Sequence, residues 1–196
     1  MSNEFLYKEY ELNYEQLRFY DSRQSSIFQY LFTLTASVAT AQFALYKFLT
    51  APTPEFYKCH LFLSCIVFIA TILLFLSMLQ NRLYFVFTAR QLNAIREYLL
   101  KTDSPEFKNN QLYTSTKFPA LKPLSVHTFQ LVGAVLISSM FAGSAMYALF
   151  PILNKPPSWK WSILIFILIA IIEFLYGFIY LYTQDRKTAD EAIHLK

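Results

Sequence analysis

Glu173 is the residue whose position most needs a chemical account. It lies in the middle of the apolar run Ile163 to Tyr182, and a charged side chain at the centre of a membrane helix costs about 2.5–3.5 kcal/mol on insertion scales. Three other apolar runs carry hydroxyls at similar depth: Thr40 in the first, Thr71 in the second, and Ser138 with Ser139 in the third. Together they predict a polar layer at the midplane of a helix bundle. Small residues flank it, with Ala170 and Gly177 on the face of Glu173 and Ala134 and Ala142 on that of Ser138, and such residues let membrane helices approach closely. Thr33 and Ser37 extend the hydroxyl face of Thr40. This layer suits a proton or ion path, including one shared across subunits. It equally suits a carboxyl that hydroxyls hold in place to specify packing.

Other chemistries lack their residues. His60, His127 and His194 are too far apart for a metal motif, and no HExxH occurs. Gly133, Gly143 and Gly177 are the only glycines, all inside apolar runs, so no phosphate-cradling loop can be built. No Arg is followed by His at four to six residues, which removes the small ribonuclease signature of defence-associated helical domains. No Ser or Cys stands in a nucleophile-elbow context. Cys59 and Cys65 point about 240° apart on one helix, so they cannot pair with each other. The sequence therefore predicts a protein that is not an enzyme and takes no cofactor or metal.

The elements that would position Glu173 are membrane helices. With 55% hydrophobic and 15% charged residues, the chain has the wrong balance for a water-facing surface. Ile27 to Leu49, Cys59 to Leu79, Val126 to Phe150 and Ile163 to Tyr182 each exceed the roughly 18 residues needed to cross a hydrocarbon core about 30 Å thick. They are continuously apolar, which excludes barrel strands. No cleavable leader precedes the first run, which is expected to serve as its own insertion signal. Thirteen of the 17 Lys and Arg residues lie before the first run, between the second and third, or after the fourth. By the positive-inside rule these parts are cytoplasmic. Trp159, Trp161, Tyr180 and Tyr182 serve as interfacial anchors.

The expected fold is all-α: an integral membrane four-helix bundle with cytoplasmic helical extensions. Residues 1–26 form a cytoplasmic amphipathic helix, 27–79 the first two transmembrane helices, 80–125 a cytoplasmic helix and linker, 126–183 the last two transmembrane helices, and 184–196 a cytoplasmic tail. Leu6, Tyr10, Tyr14 and Leu17 mark the apolar stripe of the first helix. That helix is acidic, so it is expected to pack on protein, with the basic 81–125 segment as the obvious partner. In that segment Leu83, Phe87, Ala94 and Leu99 form one face. Arg82, Ala89, Asn93 and Arg96 form another, and Arg82, Arg90, Asn93 and Arg96 are the candidate residues for binding a partner. From 102 the pattern collapses into a linker with Pro105, Pro119 and Pro123. Seven bases interleaved with Tyr84, Phe85 and Phe87 could contact nucleic acid, but cytoplasmic loops are basic for topological reasons alone, and direct nucleic-acid binding is not expected.

This plan, together with the segment Asn81-Arg82 through Arg90-Gln91-Leu92-Asn93-Ala94-Ile95-Arg96, resembles small four-span membrane proteins of bacterial antiphage defence systems. Some of those disrupt membranes beside a sensor; others accompany RNA-targeting nucleases. The resemblance implies an oligomeric effector in the bacterial inner membrane, both termini cytoplasmic, that permeabilises the bilayer when a cytoplasmic partner signals. A scaffold or regulatory subunit that recruits a soluble partner such as a nuclease is the alternative, and a small proton-coupled transporter the third.

Overall fold

The computed structural model describes residues 3–49, 53–103 and 118–187. Four helices follow in order: α1 (Asn3–Phe48), α2 (Pro54–Asp103), α3 (Val126–Ile152) and α4 (Trp159–Lys187). All the described secondary structure is helical. Most of the expected linker, including Pro105, and most of the expected tail lie outside the described residues.

The amphipathic segment and the first apolar run form one 46-residue helix, and the second run continues, as its pattern predicts, into the helix beyond residue 79 to make one element of 50 residues. No Gly or Pro interrupts either one, so nothing ends the helical hydrogen-bond ladder at the water–lipid boundary.

Three helices, α2, α3 and α4, are long and apolar enough to cross a membrane. α1 falls short on composition, because Gln29, Thr33, Thr35, Ser37, Thr40 and Gln42 dilute its apolar run.

α2 and α3 form the centre, α1 lies along α2, and α4 lies along α3. α1 and α4 do not touch among the described residues, so the arrangement is an open row rather than a closed ring. Lipid solvates alkyl side chains as well as other helices do, so the outward faces need no cover. α4 shows this most clearly, with Ile167, Ile171, Phe174 and Phe178 all exposed.

α1 meets α2 through Leu6, Tyr10, Asn13, Leu17, Tyr20, Gln24, Ile27 and Leu31, which alternate steps of four and three. This 3.5-residue period keeps a straight seam between two supercoiled helices. It replaces the expected Tyr14 with Asn13: Tyr14 is 46% exposed, whereas Asn13 is buried and donates its amide to Glu9 O at 2.7 Å.

The core beneath the seam joins Phe75, Met78, Leu79, Leu83 and Val86 of α2 to Leu131, Ala134 and Val135 of α3. On α2 the nominally polar face of Arg82, Ala89 and Asn93 is buried, and Ala94 is exposed.

Candidate functional site

The interior polar groups fall at three levels, and α3 contributes to each. At the middle level Glu173, 8% exposed, points from α4 to Ser138 of α3, which is fully buried. Ser138 Oγ is hydrogen-bonded to Glu173 Oε2 and also lies 3.1 Å from Val135 O. A hydroxyl has one hydrogen. Ser138 therefore serves either the carboxylate or the carbonyl, and in the second case the carboxyl group must itself donate. The two arrangements differ by one proton. Glu173 Oε1 has no hydrogen-bond partner.

The other expected members of this layer are placed differently. Thr71 and Ser139 are fully buried, but their hydroxyls donate to their own helices, at Phe68 O (2.8 Å) and Val135 O (2.7 Å). Thr40 is exposed on the outer side of α1 and donates to Ala36 O at 2.8 Å. The layer is thus a contact between α3 and α4, with Thr71 buried on α2 and Thr40 facing away.

Helix spacing sets this geometry. Gly177, one turn beyond Glu173, packs so closely on α2 that an added Cβ would lie 3.0 Å from the Phe75 ring. At Gly143 an added Cβ would lie 2.8 Å from Ser162 O, so α3 and α4 meet backbone to backbone near the outer end.

The outer level is a hydrogen-bonded chain. Gln42 Nε2 of α1 donates to Ser64 Oγ of α2 at 3.0 Å. Ser64 donates to Ser144 Oγ of α3 at 3.4 Å, and Ser144 lies 2.9 Å from His60 Nε2. His60 Nδ1 is buried without a partner.

The inner level is centred on Arg82, just past the end of the second apolar run and 3% exposed. Its Nε donates to Ala120 O at 2.8 Å and its Nη1 to His127 Nδ1 at 2.9 Å. His127 Nε2 in turn faces Asp21 Oδ1 of α1 at 2.9 Å. Phe85 and Phe118 cover the guanidinium plane. Burial lowers the Arg82 pKa to about 10, so it remains charged at neutral pH. One residue earlier on α2, Asn81 Nδ2 donates to Gln24 Oε1 at 3.0 Å and to Tyr20 O at 2.8 Å.

The residues expected to bind a partner are turned inward. Arg90 donates to Phe118 O at 2.7 and 2.9 Å and pairs with Asp185 at the end of α4. Arg96 donates to Tyr10 OH at 2.9 Å and stacks over the Tyr10 ring, while Asn93 is 4% exposed. Arg82 and Arg90 together bind the carbonyls of 118–120, a non-helical stretch whose backbone acceptors have no ladder of their own.

Gln42, Ser64, Ser144 and Gln130, inside the apolar runs, and Asp21 and Gln24, just before the first run, were not singled out by sequence reasoning. An uncharged polar residue inside an apolar run is the trace that the first four leave in the sequence. Comparisons with family models, characterised proteins and solved structures find no match to the chain. Fold and interior together define an all-helical protein with three membrane-length helices and a polar interior.

Proposed function

We propose that the chain crosses a bacterial inner membrane four times, with both termini and residues 80–125 in the cytoplasm. In this reading several copies assemble through α1 into an effector that permeabilises the bilayer on a cytoplasmic signal, as in the antiphage systems the architecture resembles.

The observation that carries the reading is the outer face of α1. Thr33, Ala36, Ser37, Thr40 and Ala44 are all exposed on the half of α1 that runs beside the apolar part of α2. That half is held there by the Gln42–Ser64 bond and by Tyr46 against Phe56, with ring centres 5.7 Å apart. Where α2 crosses, α1 crosses with it. A lipid-facing helix favours large alkyl groups, as on α4. Small and hydroxyl residues favour another helix or water.

The test uses single cysteines at Thr33, Ser37 and Thr40 in a chain whose Cys59 and Cys65 are replaced by alanine. Cross-linked dimers should form from these positions and not from Leu175 on α4, and Thr33→Leu with Thr40→Leu should stop the depolarisation of expressing cells. A cross-link pattern that favours α4, or undiminished depolarisation, would remove α1 from the assembly.

A second reading, a regulatory subunit that recruits a soluble partner, is favoured by the other end of α1. Phe5, Leu12 and Phe19 are 51%, 45% and 59% exposed at seven-residue intervals. Large apolar residues on the water-side portion of a helix suit a protein groove. Replacing all three by serine should end partner co-purification and leave insertion intact.

A further inference from the structure

We propose that each chain also carries a proton path of its own, threaded along α3 from the His60 group at the outer end, through the Glu173–Ser138 pair, to the His127 group at the cytoplasmic end. It is distinct from the α1 surface proposed for assembly, since none of its three levels uses Thr33, Ser37 or Thr40.

From Ser144 to His127 the polar positions of α3 span about 25 Å at 1.5 Å per residue, close to the thickness of the hydrocarbon core of about 30 Å. Each level holds a buried polar atom that no protein group satisfies: His60 Nδ1 in the outer third, Glu173 Oε1 at the middle and Gln130 Oε1 in the inner third. Buried polar atoms of this kind take ordered water. Ala142 and Ala134, both buried on α3, occupy the two intervals between levels.

The hydrogen bonds allow a relay. Gln42 donates to Ser64 and Ser64 to Ser144, while Ser144 Oγ and His60 Nε2 share one hydrogen whose place depends on the tautomer. With that hydrogen on Nε2, a proton bound at Nδ1 lets Nε2 pass its own to Ser144 Oγ, and Ser144 gives up its hydroxyl hydrogen to the next water, so each atom that gains a hydrogen loses one. Glu173 takes the proton as a carboxylate served by Ser138. It then holds it as a carboxyl group while Ser138 turns to Val135 O. Release to water at Gln130 Oε1 and on to the Asp21 carboxylate restores the Glu173 carboxylate, while His127 keeps its tautomer between Arg82 and Asp21.

One space reaches these groups and a second lies beside them. An open groove of about 340 Å³ between the outer halves of α3 and α4 reaches Ser144. A cavity of about 40 Å³ is lined by Thr128 and by Val135 and Gly177, the last two one turn from Ser138 and Glu173 respectively. The cavity has room for two or three waters, but Phe75, Leu131 and Phe178 make its wall apolar. Such a constriction conducts only while wet and gates by drying.

The experiment places the purified full-length protein in vesicles with trapped pyranine and drives protons with a potassium gradient and valinomycin. Wild-type protein should raise proton flux well above that of protein-free vesicles. Glu173→Gln should lower it by at least about tenfold, Glu173→Asp should keep a measurable part, and His60→Ala should fall between. Elution in detergent and helical content check folding, and Ser138→Ala, which removes only the hydroxyl, repeats the test should Glu173→Gln misfold. Flux no greater than in protein-free vesicles, or equal flux in wild type and Glu173→Gln, would overturn the path. Potassium efflux without valinomycin reports the larger opening proposed for α1. Glu173→Gln should leave that efflux unchanged, so the two readings fail separately.

Discussion

Arg82 Nη1 lies 2.9 Å from His127 Nδ1, and this contact decides where the imidazole carries its proton. A guanidinium only donates, so Nδ1 must be the bare nitrogen. The neutral ring then carries its hydrogen on Nε2, where it donates to Asp21. Nitrogen NMR of labelled histidine at neutral pH should show His127 as this Nε2–H tautomer. A protonated Nδ1 in the wild-type spectrum would contradict the arrangement.

Removing the guanidinium should be costly, because it strands His127 Nδ1 and the Ala120 carbonyl in a buried site. Arg82→Ala is expected to destabilise the protein by about 3 kcal/mol in detergent unfolding. Arg82→Lys should recover only part, since an ammonium cannot reproduce the planar fork. A loss below about 0.5 kcal/mol would mean that the 118–120 segment is held by something else.

The α3–α4 approach makes a contrast between two glycines. Gly143→Ala places a methyl against the backbone at Ser162 O and should cost about 1–3 kcal/mol. At Gly133 the nearest atoms are the far edge of the Phe28 ring, 3.1 Å from an added Cβ. That ring can shift, so Gly133→Ala should cost less. Thermal melts of the two variants compare them directly, and the reverse order would discount the close approach at Gly143.

Asn81 and Gln24 join α2 to α1 just past the apolar runs. A double-mutant cycle with Asn81→Leu and Gln24→Leu should give a coupling of about 0.5–1.5 kcal/mol. Additive effects would mean that the Tyr20 carbonyl alone holds the Asn81 amide.

Where the start of α1 meets the end of α2, Tyr7 OH donates to Asp103 Oδ2 at 2.9 Å. This bond, and then the nearby carboxylate charge, raise the Tyr7 pKa above its ordinary value of 10.0. A tie made by a raised group is fully present below the unfolded value and is lost as pH climbs through the folded one. Carbon NMR of labelled tyrosine should therefore find Tyr7 titrating later than an ordinary phenol, and Asp103→Asn should bring it back down. No change in that variant would sever the link to Asp103.

The helices were legible in the sequence because long apolar runs have few alternatives in lipid. The orientation of their polar faces was less so. Glu173 and Ser138 were found by counting to mid-span, since both sit where a polar atom is expensive. Thr40 sits at the same depth but faces outward, and depth carries no information about azimuth around a helix. The bases at 82, 90 and 96 looked like a surface because single-sequence periodicity does not tell a solvated face from one that binds carbonyls and a neighbouring helix. Asn13 displaced Tyr14 for a related reason: the seam obeys the 3.5-residue period of a paired helix, which is set by the partner.

α1 and α2 each run without a break, and at 1.5 Å per residue they measure about 69 and 75 Å. Each is more than twice as long as a hydrocarbon core about 30 Å thick. With no Gly or Pro interrupting either helix and a continuous seam between them, the two form one stiff pair, so a displacement at the Tyr7–Asp103 end is passed along the seam to the Gln42–Ser64 end rather than taken up at a hinge.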